Sequence, residues 1–117
     1  MAYDERVAQR VRSALARRGR TVEKKMFGGL AFMLRGHMCC GVLGRELMVR
    51  VGPEEYDAAL GAPHAREMDF TGRPLRGFVY VSAKGFEADA DLESWIDRGV
   101  RFARSLPPKA SRRRVRA

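Results

Sequence analysis

The stretch KKMFGGLAFMLRGHMCCGV, residues 24–42, gathers most of the side chains that could do chemistry: two lysines, a histidine and two adjacent cysteines. A tetrahedral zinc site needs three or four ligands, with paired cysteines normally two or more residues apart. The whole chain offers Cys39, Cys40, His37 and His64, so carboxylates would have to complete any set. Neighbouring side chains of a strand point to opposite faces, so Cys39 and Cys40 cannot share an ion while the strand stays regular. His37 and Cys39 then share one face, Met38 and Cys40 the other. No metal site is expected. The pair reads as structural, one sulfur buried as a small hydrophobe and the other at the opposite face. Redox sensing is the other reading, and it requires a thiolate stabilised by a nearby Lys or Arg.

Other catalytic patterns are weaker still. Same-face neighbours two apart on a strand diverge, which disfavours a His37–Cys39 nucleophile pair. Lys24 and Lys25 alternate faces, so at most one lines any surface. The chain has no G-x-S-x-G, no GxxxxGK and no GxGxxG. Asp57, Asp69, Asp89 and Asp91 sit where caps and turns want carboxylates. An enzyme is not expected; no cofactor and no small-molecule substrate is indicated.

The elements that would position these residues follow from spacing. Tyr3, Val7, Val11, Ala14 and Leu15 recur at helical intervals, with Asp4 and Glu5 in the first turn and Gly19 after the end, which predicts a helix over 3–18. Three apolar runs, MFGGLAFML, HMCCGVL and ELMVRV, are divided by Arg35-Gly36 and Gly44-Arg45, which predicts a meander of antiparallel strands. Gly28-Gly29 inside the first run suggests a bulge or a close backbone approach. In the third, Leu47, Val49 and Val51 point one way, Met48 and Arg50 the other. GPEEYDAAL predicts a short helix with Pro53 at its first position. REMDF and LRGFVYVSA predict two further strands, and a last helix runs from Asp89 or Asp91 to near Leu106. Its inward stripe is Leu92, Trp95, Ile96, Gly99, Ala103 and Leu106, with Gly99 allowing close packing on the sheet. The expected class is α+β: two layers, ordered α-β(3)-α-β(2)-α, with one five-stranded antiparallel sheet covered by helices.

Length and charge set the organisation. A chain of 117 residues suits one domain, expected over 1–108, followed by a basic flexible tail over 109–117. Adjacent cysteines close no useful loop, and no apolar run reaches membrane-spanning length or forms a signal peptide, so a cytoplasmic chain that does not enter membranes is expected. Residues 1–25 hold eight Lys/Arg against three Asp/Glu, residues 103–117 hold six against none, and the middle holds nine against eleven. The basicity therefore sits at the two ends and faces an acidic partner. On the first helix Arg6, Arg10 and Arg17 fall within about 40° of one another. Arg98, Arg101 and Arg104 on the last helix lead into Lys109, Arg112, Arg113, Arg114 and Arg116. These eleven are the candidate nucleic-acid contacts. The competing reading is a solvated helix face and a solubilising tail, with helix arginines complementing the C-terminal dipole. Without a helix-turn-helix or tail aromatics, sequence-specific base reading is not supported.

Four stretches carry a family resemblance: EKKMFGGLAFMLRGHMCCGV, LMVRVGPEEYDAAL, MDFTGRPLRGFVYV and ARSLPPK resemble the N-terminal domain of the TfoX/Sxy family, bacterial regulators of competence genes. The resemblance covers nearly the whole chain. It implies the same two-layer order and a role in transcriptional activation of DNA-uptake genes, alongside the cyclic-AMP receptor protein. It implies no catalytic or metal residues; its motifs read as structural, with Gly28, Gly29, Gly52, Gly72 and Gly77 at turns or bulges, Met26 and Phe27 entering the core, and Pro53 starting a helix. Competence regulators of the family usually carry a second, helical domain; here KASRRRVRA takes that place, so a standalone N-terminal domain is expected. Two partner classes remain. One is nucleic acid or a DNA-bound transcription factor; the other is protein interaction alone, including a homodimer.

Overall fold

Asp4, rather than Tyr3, opens the first helix. Its carboxylate accepts from the backbone N–H groups of Arg6 (2.8 Å) and Val7 (3.3 Å), satisfying two of the donors a helix start leaves free. Tyr3 is instead bridged to Gly44, and the Asp4 N–H donates to the Gly44 carbonyl at 2.7 Å. The computed structural model describes residues 3–26, 28–69, 72 and 75–107. The expected tail, Lys109 to Arg116 among it, lies outside the described residues, as does Phe27.

The elements are α1 (Glu5–Ala16), β1 (Val22–Met26), β2 (Gly29–Leu34), β3 (His37–Leu43), β4 (Glu46–Arg50), α2 (Tyr56–Leu60), β5 (Ala65–Glu67), β6 (Phe78–Val81), a 3-10 helix (Ala83–Phe86) and α3 (Asp89–Ser105). One antiparallel sheet runs in the order β1-β2-β3-β4-β6-β5. It has six strands, not five. The extra one is β1: Gly28, at φ +76, reverses the chain so that Met26 pairs with Gly29, where the sequence predicts one strand with a bulge or a close backbone approach; the close approach is present, since a Cβ on Gly29 would lie 2.2 Å from the Val42 carbonyl oxygen. Lys24 and Lys25 thus lie on an exposed edge strand. Pro53 stands in the turn before α2 rather than at its first position, and α2 begins three residues later.

The real bulge is in β3. The β2–β3 register pairs Met33 with Met38 and then Phe32 with Cys40, so Cys39 is an extra residue with no partner. A bulge interrupts strict alternation. Met38 packs on one face of the sheet, while Cys39 and Cys40 both enter the core on the other. The expectation that the two sulfurs face opposite ways is overturned, and so is the sharing of a face by Met38 and Cys40.

The core beneath the helices joins Phe32, Val42, Leu47, Val49 and Val81 of the sheet to Val11 and Leu15 of α1 and to Leu92, Ile96 and Ala103 of α3. α3 is seated closely because Gly99 has no side chain. A Cβ there would lie 2.2 Å from the Cys39 carbonyl oxygen. The other face carries Ala31, Met38, Met48 and Tyr80, closed over by Met68 and half-buried Leu75 from the β5–β6 connection, whose Leu75 N–H donates to the Met68 carbonyl at 2.8 Å. Met26 and Met33 are half-buried towards the β1 side.

Candidate nucleic-acid interface

The arginines of α1 do not form an outward stripe. Arg10 donates to the carbonyls of Phe86 (2.9 Å) and Glu87 (3.1 Å) and pairs with Asp89 (3.1 Å), its guanidinium 5.8 Å from the Phe86 ring centroid. Arg17 pairs with Glu93. Arg18 reaches both Glu93 and Asp97 at 2.5 Å and donates to the Ala14 carbonyl at 2.7 Å. Asp89, Glu93 and Asp97 are four apart, one line down α3, so this is a seam between the two helices. Arg12 does the same towards β1, holding Glu5 (2.6 Å) and Glu23 (2.5 Å). The Arg18 hydrogen bond holds the Asp97 carboxyl below its ordinary range, and Arg12 does so for Glu23. Of the three expected α1 contacts, Arg10 and Arg17 are used internally. Arg6 stays exposed near the start of α1, about 16 Å of helix rise from Arg17.

A different set of cations is left open. The C-terminal end of α1, the β2–β3 turn and the last turn of α3 meet at one end of the molecule. There the Arg104 guanidinium donates to the Arg18 carbonyl, and Arg35 donates to the Arg104 carbonyl at 3.1 Å. Gly19 lies against both Leu34 and Arg104. His37 donates from Nε2 to the Pro107 carbonyl at 2.6 Å, fixing the point at which the chain leaves towards residues 108–117. Arg20, Arg35, Arg101 and Arg104 are exposed, and none has a carboxylate within salt-bridge distance among the described residues. Arg101 and Arg104 were expected contacts; Arg20 and Arg35 were missed. The signal for Arg35 was present in its turn, Arg35-Gly36, which exposes whatever side chain it carries (Arg35 φ +57, Gly36 φ +89). Arg98 is not part of this end: its guanidinium lies over the Trp95 ring, 4.6 Å from the centroid.

The dithiol is enclosed. Cys39 and Cys40 are both fully buried, their sulfurs 3.8 Å apart, with the Cys39 thiol 3.4 Å from the Phe32 carbonyl. Donation to the Cys39 sulfur, then burial, pushes the Cys40 thiol well up. Among the described residues no three or more His, Cys, Asp or Glu side chains come together as a metal site requires. No described helix is long and apolar enough to cross a membrane.

No curated protein and no solved structure matches the chain. The family model for the TfoX N-terminal domain matches residues 13–103, from the second half of α1 to the last turns of α3. The match spans the sheet and the helix that seats on it, so the chain belongs to the TfoX N-terminal domain family.

Proposed function

We propose that this protein is a non-enzymatic, transcription-associated module that holds the phosphate backbone of duplex DNA with its basic end. The observation that carries the reading is the contrast in pairing. Arg10, Arg12, Arg17 and Arg18 have carboxylate partners, whereas Arg20, Arg35 and Arg104 have none among the described residues and stand where the chain continues into Lys109, Arg112, Arg113, Arg114 and Arg116. Unneutralised guanidinium groups bind phosphate oxygens and release condensed counterions, which supplies free energy without reading sequence. Membership of the TfoX N-terminal family supports placing the module in gene regulation.

Anisotropy of a labelled duplex against salt tests this. Five or six phosphate contacts give a log–log slope of about −5, so affinity falls roughly a thousandfold from about 50 to about 200 mM salt. Deleting residues 109–117 removes five cations and flattens the slope by up to about four. No binding at low salt sinks the reading. A protein-interaction role then inherits the case, favoured by the edge strand β1, where Val22 is 64% exposed beside half-buried Met26 and Met33. A stable homodimer indifferent to DNA is its signature.

A further inference from the structure

Arg98 lies halfway along α3 and is common to two clefts of about 360 and 370 Å³. Beyond it on one side are Val51, Gly52, Phe102 and Ser105. On the other are His64, Lys84 and Ser94, with Trp95. The α3 residues concerned, from Asp91 through Arg98 to Ser105, recur three and four apart, so the two clefts follow one stripe of the helix. Each is large enough for one small molecule.

The Arg98 guanidinium lies over the Trp95 ring, yet its Nη1 is buried and has no hydrogen-bond partner among the described residues. No carboxylate pairs with it there, unlike the seam arginines. A buried N–H without an acceptor is costly, more so on a charged group, and folded proteins rarely leave one. A stacked guanidinium is a pre-oriented fork for a planar anion. We infer that the Arg98 cleft binds a small monocarboxylic acid with an apolar body, the carboxylate on Arg98 and the body against Phe102 and Val51.

The choice of anion follows from the neighbours. Arg98, Arg101 and Lys84 are balanced across the two clefts by Glu54, Glu55 and Asp91. A singly charged planar carboxylate fits the fork, whereas a dianionic phosphate is repelled more strongly by Glu54 and Glu55 of the same cleft and finds nothing for the apolar wall. Gly52 lets the apolar wall form: a Cβ on it would lie 2.4 Å from the Phe102 ring, so only glycine allows that ring to pack directly on the backbone beside Val51. This site does not depend on the DNA reading.

Trp95 is the chain's one tryptophan, and its contact with Arg98 makes its emission a direct reporter. The full chain is titrated with phenylacetate, with phenylacetamide (same body, no charge) and with inorganic phosphate (charge, no body), each to about 10 mM, a range suited to a ligand of about ten heavy atoms. A saturable change with phenylacetate is expected, at least about tenfold weaker with the other two, and lost in Arg98→Gln with the fold intact by circular dichroism. If Arg98→Gln does not fold, amide shifts of Gly52 and Ser105 in the unaltered chain and the weakened response of Arg101→Gln replace it. No saturable change in emission or amide shifts, an equal response to the amide, an equal response to phosphate, or an undiminished response in Arg98→Gln overturns the proposal.

Discussion

The seam between α1 and α3 and the basic end, where the chain leaves α1, the β2–β3 turn meets it and α3 finishes, are built from the same residue type, and their arginines do opposite things. The difference lies in how charge is segregated along α3. Its first half, DADLESWID, offers Asp89, Glu93 and Asp97 at four-residue steps to the arginines of α1. Its second half, RGVRFARS, offers no carboxylate, so Arg104 caps the carbonyl of Arg18 and keeps its charge open. Acid at the start and base at the end also match the helix dipole. Counting arginines therefore does not locate an anion site. What marks the proposed site is the place where α3 runs out of acid.

Both regions depend on the seating of α3, so the largest effect is expected from Gly99→Ala. Replacing glycine by alanine inside a helix normally stabilises by about 1 kcal/mol. Here the new methyl meets the Cys39 carbonyl, a backbone atom on a bulge that cannot swing away. A loss of about 2–3 kcal/mol is expected, roughly 10 °C in Tm for a chain of this size, with DNA retention falling in parallel. A rise in Tm would show that α3 is less tightly seated than the geometry says.

Next come two triple variants that separate the regions. Arg10→Gln, Arg17→Gln, Arg18→Gln dismantles the seam. It should cost about 2–3 kcal/mol in denaturant unfolding, since Arg18 is only 17% exposed and bridges two carboxylates, while DNA affinity at a temperature where the fold holds stays within about threefold. Arg20→Gln, Arg35→Gln, Arg104→Gln should do the reverse: under about 1 kcal/mol of stability, and a salt slope shallower by about 2–3. Equal effects of the two variants on DNA would erase the distinction.

Much of this was legible in the sequence, and the failures have local causes. The class, the antiparallel sheet, the facing of Leu47, Val49 and Val51, and the Gly99 contact all follow from periodicity. β1 did not, because the Gly28-Gly29 pair sits inside one apolar run and reads as a bulge or a close backbone approach, whereas the pairing of Met26 with Gly29 makes it a reversal. The vicinal cysteines defeated alternation because a bulge is one unpaired residue and leaves no composition signal. The arginine partners were invisible for another reason. Arg17 and Glu93 are 76 residues apart, and nothing in local pattern joins them.

The cysteines give a smaller, sharper test beneath the same helix. Both thiols are fully buried below α3, so an aromatic disulfide reagent should leave them unmodified in the native chain and react only as the protein unfolds. Gly99→Ala should shorten that protection, whereas the two triple variants should alter it only as far as their stabilities differ. Stoichiometric zinc in protein purified without added metal would overturn the structural assignment of the pair.

The smallest effect is the acid response of the seam. Asp97, through the Arg18 hydrogen bond, and Glu23, through Arg12, have folded pKa values below the ordinary carboxylate range. A depressed folded pKa contributes stability that is present above the unfolded value, about 4, and lost as pH falls through the folded value. The two carboxylate side chains are 57% and 39% exposed, so solvent and salt screen them and each contributes under about 1 kcal/mol. Tm should thus be flat from about pH 8 to about 5 as far as these groups are concerned, then decline below about 4. In Arg18→Gln the Asp97 share of that decline should vanish, because the carboxyl returns towards its ordinary value in both states. An acid limb of the same depth in Arg18→Gln and in the unaltered chain would mean that the Arg18–Asp97 pair is fully screened and adds nothing to the hold of α1 on α3.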